Sequence, residues 1–139
     1  MKVVIAGSRK FDTQDSYHLV SYAVLRSGYN ITEVVSGHAD GIDKAGEMWA
    51  IYEPNIMLDG DKIVVKELPI KIFKADWKKH GKAAGPIRNE EMAKYADAAI
   101  IIWDGESKGT LNTIEHFQRL KKPYYLMVVE EMKENKSDS

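Results

Sequence analysis

The sequence predicts an α/β fold: a Rossmann-like three-layer domain with a five-stranded parallel sheet between two layers of helices. Three observations lead there. Short apolar runs alternate with segments of helical period along the chain. The runs are rich in Val and Ile and end in Gly or Asp, the pattern of strands buried on both faces. Strands separated by helices are joined by crossovers, which gives parallel pairing with helices above and below.

The runs lie at 3–6, 34–36, 70–73, 98–103 and 124–129. Between the first two, Leu19, Val20, Ala23 and Val24 share one helical face, and Gly28 is a natural stop. Ile42, Ala45, Trp49 and Tyr52 form the face of a second helix. Ile87, Met92 and Tyr95 form a third, begun by Gly85-Pro86, and Leu111, Ile114 and Leu120 a fourth, stopped before Pro123. The run at 70–73 partly alternates in polarity and follows Pro69, which suits an edge strand. A strand order of 3-2-1-4-5 places it there.

One segment breaks the rhythm. At 54–68, two apolar runs flank Asp59-Gly60-Asp61, and an Asp-Gly turn between such runs signals a β-hairpin, here inserted between the second helix and the third strand. The expected organisation is a single nucleotide-binding domain over 1–129 and a polar, disordered tail over 130–139.

Composition narrows the function. The chain has 139 residues, 44% hydrophobic and 29% charged, which is enough for one buried core. Its formal net charge is -1, which argues against nucleic acid as a partner. The absence of cysteine from the sequence excludes disulfides, thiolate zinc sites and a cysteine nucleophile. The four histidines lack paired ligand spacing, so neither a metal nor a cofactor is expected. Without a cleavage-site pattern at the start or an apolar run long enough to span a bilayer, the expectation is a cytoplasmic protein with no membrane partner. Trp49, Trp77 and Tyr95 are many large aromatics for so small a domain, and they suggest a homo-oligomer.

In open α/β sheets, ligands bind outside the carboxyl ends of the strands, where strand order reverses. In the predicted order that point lies between the first and fourth strands. The loop after the first strand holds Gly7, Ser8 and Arg9; the loop after the fourth holds Asp104, Ser107, Gly109 and Thr110. Two further loops end on the same rim. One carries Ser36, Gly37, Asp40, Gly41 and Asp43, the other Asp76 and Trp77 followed by Gly85, Arg88 and Asn89. Gly admits backbone N–H groups to an anion, a helix N-terminus adds partial positive charge, and Arg adds a full one. Each residue has a plainer reading. Asp40 or Asp43 can cap the second helix, Trp77 can pack, Arg88 can pair with Glu47 or Glu91, and His38 and His80 can be solvated loop residues.

The motifs Gly7-Ser8-Arg9-x-Phe11, Ser36-Gly37-x-Ala39-x-Gly41-x-Asp43, Ala75-Asp76-Trp77, Ala84-Gly85-Pro86-Ile87-Arg88-Asn89-x-x-Met92 and Ser107-x-Gly109-Thr110 occur in this order. The series resembles the YspA/YpsA-related branch of the SLOG superfamily (SMF/DprA–LOG), found in bacteria and their phages. The resemblance implies a Rossmann-like fold and a nucleotide-derived small molecule as partner. Relatives include phosphoribohydrolases, sensors of NAD-derived signalling molecules, and single-stranded DNA-binding proteins. The LOG enzymes carry Gly-Gly-x-Gly-Thr-x-x-Glu. Here Gly109-Thr110 is kept, but Thr113 stands at the glutamate position. The expected function is therefore binding of a nucleotide or an ADP-ribose-like ligand, as sensor, carrier or sequestering protein. The alternative is a nucleotide N-glycosidase in which Asp76 substitutes as acid or base. Single-stranded DNA binding is the least favoured reading.

Overall fold

The computed structural model describes residues 1–11, 13–53 and 55–130. Residues 131–139 of the expected tail at 130–139, and Pro54 of the expected hairpin, lie outside these residues. The element order is β1 (Lys2–Gly7), α1 (Thr13–Ser27), β2 (Glu33–Ser36), α2 (Ile42–Tyr52), β3 (Asn55–Asp59), β4 (Lys62–Lys66), β5 (Ile70–Ile72), α3 (Trp77–His80), α4 (Ala84–Tyr95), β6 (Ala98–Trp103), α5 (Lys108–Arg119) and β7 (Tyr124–Val128). A 3₁₀ turn at Gly81–Ala83 joins α3 to α4.

Five strands form one parallel sheet in the order β5-β2-β1-β6-β7, which is the predicted 3-2-1-4-5 with the hairpin left out. Alternation along β1 shows how the layers are built. Val3 and Ile5 point to one face, where Val20 and Ala23 of α1 and Ile42 and Ala45 of α2 cover them. Val4 and Ala6 point to the other, beneath Met92 and Ala93 of α4 and Ile114 and Phe117 of α5. Both faces are dry, so β1 and β6 read as unbroken apolar runs. Trp49 and Tyr95 are partly buried against the two cores.

β3 and β4 pair only with each other, joined through Gly60 at φ 63, the left-handed conformation a tight hairpin turn demands. Ile56 sits opposite Val65 and Leu58 opposite Ile63, so all four share one face of the hairpin. They are 60–80% exposed. Leu68, just beyond, is buried in the main core and donates its N–H to the Ala50 carbonyl. No helix among the described residues is long and apolar enough to cross a membrane.

Candidate functional site

Strand order reverses beside β1: β2 follows it on one side and β6 lies on the other. The loops after β1 and β6 diverge there and open a cleft. Its floor is set by Gly7, where a Cβ would fall 2.2 Å from the Ile102 carbonyl oxygen and 2.9 Å from the Ile42 side chain. No side chain fits between β1, β6 and α2 at this point. Ser8 locks the two loops together: its N–H donates to the Ile102 carbonyl, and its buried hydroxyl accepts from the Asp104 N–H at 3.1 Å.

The cleft contains a cavity of about 400 Å³. Ala6, Gly7 and Arg9 line it from the β1 side, Ala39 and Asp43 from the loop and first turn of α2. Arg88, Asn89 and Met92 come from α4, and Ser107, Gly109, Thr110 and Thr113 from the start of α5. A second cavity of about 290 Å³ abuts the first and shares Arg9, Ala39 and Arg88 with it. Its other walls are Gly37, His38, Asp40, Lys74, Ala75 and Trp77.

Arg88 is the hinge of this arrangement. Its Nη1 donates to the Gly37 carbonyl at 2.6 Å and its Nε to Asn89 Oδ1 at 2.9 Å. It therefore ties the β2–α2 loop to α4 and pairs with neither Glu47 nor Glu91. Burial pushes the guanidinium below its ordinary range, and Asp43 opposes that. The side chains of Arg88 and Asp43 converge where Gly37 would carry a Cβ, at 2.7 and 2.8 Å. Asn89 extends the joint to α5, donating to Asn112 Oδ1 at 3.1 Å and the Gly109 carbonyl at 3.4 Å.

Asp43 does not cap α2. Its two oxygens accept from Gly7 N–H and Ala39 N–H, each at 3.4 Å. Burial pushes its carboxyl up to about 6, against the pull of Arg88, the two N–H groups and Arg9. Arg9 is exposed and forms no ion pair or hydrogen bond among the described residues, which leaves its charge available to a ligand.

At the start of α5 the Ser107 hydroxyl caps the helix, accepting from the Thr110 N–H and the Thr110 hydroxyl. Asp104 holds the preceding turn by accepting from Glu106 and Ser107 N–H groups, and these bonds keep its carboxyl below the usual range. Thr113 lines the first cavity with its hydroxyl turned onto the Gly109 carbonyl, while Glu115 faces solvent.

The predicted site residues thus separate into two groups. Gly7, Arg9, Asp43, Arg88, Asn89, Ser107, Gly109 and Thr110 meet around the first cavity, and Gly37, Asp40 and Trp77 around the second. Ser8, Ser36, Gly41, Gly85 and Asp104 line neither. Ser36 is fully buried and its hydroxyl donates to Glu47 at 2.7 Å, with the Asp43 carbonyl 3.3 Å away; Gly41 lies against the backbone of Ser8 and Arg9; Gly85 sits beside Trp77. Asp76, expected as acid or base in the alternative reading, stands apart from both cavities. Its carboxylate caps α3 by accepting from Lys79 N–H at 3.1 Å and lines neither cavity.

Sequence reasoning missed His38 and Lys74 as wall residues, while Thr113, read as standing at the LOG glutamate position, lines the first cavity. His38 is no plain solvated loop residue, since its Nδ1 meets Glu47 at 2.9 Å. Its place next to Gly37 was the available signal.

No family profile matches the chain. The chain is 31% identical over 120 residues to the Gene 61 protein of Mycobacterium phage D29, covering 85% of this chain and 89% of that protein. In structure it is similar to DNA processing protein A from Helicobacter pylori, with TM-score 0.57, 18% identity, and coverage of 97% of this chain and 67% of that one. That likeness is one of fold. The Helicobacter protein was solved for its unique single-stranded DNA binding mode. This finding corrects the expectation that net charge argues against nucleic acid as a partner. A balance of -1 averages over the whole surface, whereas Arg9, Lys74 and Arg88 are concentrated in one cleft.

Proposed function

We propose, for a chain that belongs to the family of the Gene 61 protein of Mycobacterium phage D29, that it binds a nucleotide through its phosphate in the first cavity. The loop motifs quoted above support its assignment to the YspA/YpsA-related branch of the SLOG superfamily. The observation that carries the binding reading is the convergence of Arg9, Arg88 and the start of α5 on one cleft at the strand-order reversal. The helix start contributes partial positive charge, Arg9 brings a cation that forms no ion pair or hydrogen bond among the described residues, and the Thr110 hydroxyl lies beside them. Thr113 offers a neutral hydroxyl where a LOG enzyme has its carboxylate, which favours holding the ligand over cleaving it.

A second reading is single-stranded DNA binding, favoured by the fold shared with DNA processing protein A. Both readings use the same phosphate contacts. Salt separates them, because a strand that crosses several cations releases several counterions and a lone phosphate few.

The test is calorimetric titration with adenosine monophosphate and with an oligothymidylate at two salt concentrations. Arg9→Ala should weaken either ligand about tenfold or more while leaving thermal stability unchanged, since a charge-assisted bond contributes about 1.5–3 kcal/mol. Equal affinity in Arg9→Ala and the parent chain refutes the placement of the phosphate.

A further inference from the structure

The second cavity is built in ways that a phosphate pocket does not require. Trp77 stands in its wall with 55% of its surface exposed. The four-residue helix α3 that carries it buries no side chain, so this element adds nothing to the core. The outer edge of the indole lies 3.5 Å from where Gly85 would carry a Cβ. A large, flat, exposed aromatic in a concavity is a stacking surface.

His38, in the loop after β2, supplies a second feature of this wall. Its backbone is left-handed, φ 60, a conformation that a residue with a Cβ adopts at an energetic cost. A polar relay holds it there. The Ser36 hydroxyl accepts from His38 N–H at 3.0 Å and donates to Glu47 at 2.7 Å, and Glu47 holds His38 Nδ1. With Nδ1 engaged, Nε2 is the ring atom left for a ligand. Lys74 adds a cation, and the carboxylate of Asp40 is occupied by Lys44 at 3.0 Å.

These features ask for a planar aromatic group with a polar edge, joined to an anion at the shared arginines. We propose that the second cavity receives the base of a second nucleoside, so that the ligand is a dinucleotide whose linking phosphate lies over Arg9 and Arg88. The proposal rests on the reading of the first cavity as a phosphate site. Two sources supply this chemistry: a free dinucleotide joined by pyrophosphate, and neighbouring nucleotides of a single strand joined by a phosphodiester.

The experiment compares adenosine monophosphate, diadenosine diphosphate and a phosphodiester-linked deoxyadenylate dimer by calorimetry, with the parent chain, Trp77→Ala and Trp77→Phe. At least one dimer should bind about tenfold more tightly than the monophosphate, as expected for one stacked base. Trp77→Ala should remove that advantage and leave the monophosphate affinity unchanged, and Trp77→Phe should restore most of it. An advantage confined to the pyrophosphate dimer identifies the free dinucleotide as the source; one confined to the phosphodiester dimer identifies the single strand. Equal affinity for all three compounds overturns the proposal and leaves the phosphate reading standing. Loss of monophosphate binding in Trp77→Ala, equal to the loss for the dimers, overturns it too. Failure of the parent chain to bind any of the three removes the phosphate reading, and this proposal with it.

Discussion

Replacing Asp43 by Asn should stabilise the protein at neutral pH. The Asp43 carboxyl is buried and pushed from the ordinary 3.8 up to about 6. A group whose folded pKa is raised contributes stability that is fully present below the unfolded value and is lost as pH rises through the folded one. Ionised Asp43 therefore works against the fold above about pH 6, by an amount on the order of 3 kcal/mol. Asn removes the charge and keeps one acceptor oxygen. Its amide cannot accept from both Gly7 and Ala39 N–H groups, and the bond lost offsets about 1 kcal/mol. The net gain expected at about pH 8 is roughly 1–2 kcal/mol, shrinking towards about pH 4 as the parent carboxyl protonates. His116 acts with the opposite sign. Burial and Arg119 hold its pKa down, so its contribution is lost as pH falls. Urea unfolding of parent and variant across that range isolates Asp43, because His116 is common to both. A variant less stable than the parent at about pH 8, or a difference that does not change with pH, would refute the reasoning.

Other features give predictions of their own. Lys122 Nζ donates to the Ala93, Lys94 and Ala96 carbonyls at 2.8–2.9 Å, closing the end of α4, and Lys122→Met should lower stability by about 1–2 kcal/mol in urea unfolding. Gly7→Ala should leave little folded protein by circular dichroism, because the added methyl meets the Ile102 carbonyl oxygen. Replacing residues 55–66 with a short Gly linker should leave a cooperatively melting domain, since the aliphatic face of the hairpin is exposed; a molten product by near-UV circular dichroism would show that the segment is part of the core.

The sheet was legible because its strands are dry on both faces. Continuous apolar runs such as Ala98–Trp103 have few other interpretations, and Pro69 marked the edge. The hairpin was legible from Asp59-Gly60 alone, and its boundary was not: Leu68 looks like its neighbours in sequence but belongs to the main core. Within the candidate site, Arg9, Asp43 and Arg88 drew notice because each stands near small residues in the loops and helix starts that follow strands. Ser8, Ser36 and Asp104 could not be told apart from ligand groups. A hydroxyl or carboxylate in a loop looks the same whether it meets a ligand or a neighbouring N–H, and here the neighbours took them. His38 was hidden for the converse reason. Its orientation depends on Glu47, more than two helical turns away in sequence terms and adjacent only in the fold.

The tight seat of Gly7 has a bearing on how proteins of this design diverge. A floor in which one added methyl strikes a backbone oxygen cannot be retuned by mutation. That end of the cleft admits no side chain at this position. The opposite wall is assembled from exposed Lys74 and Trp77, on the segment that follows β5, and His38 in the loop after β2. Novelty in ligand choice has that wall as its material, and an engineer seeking a new specificity would randomise those three positions and leave the floor alone.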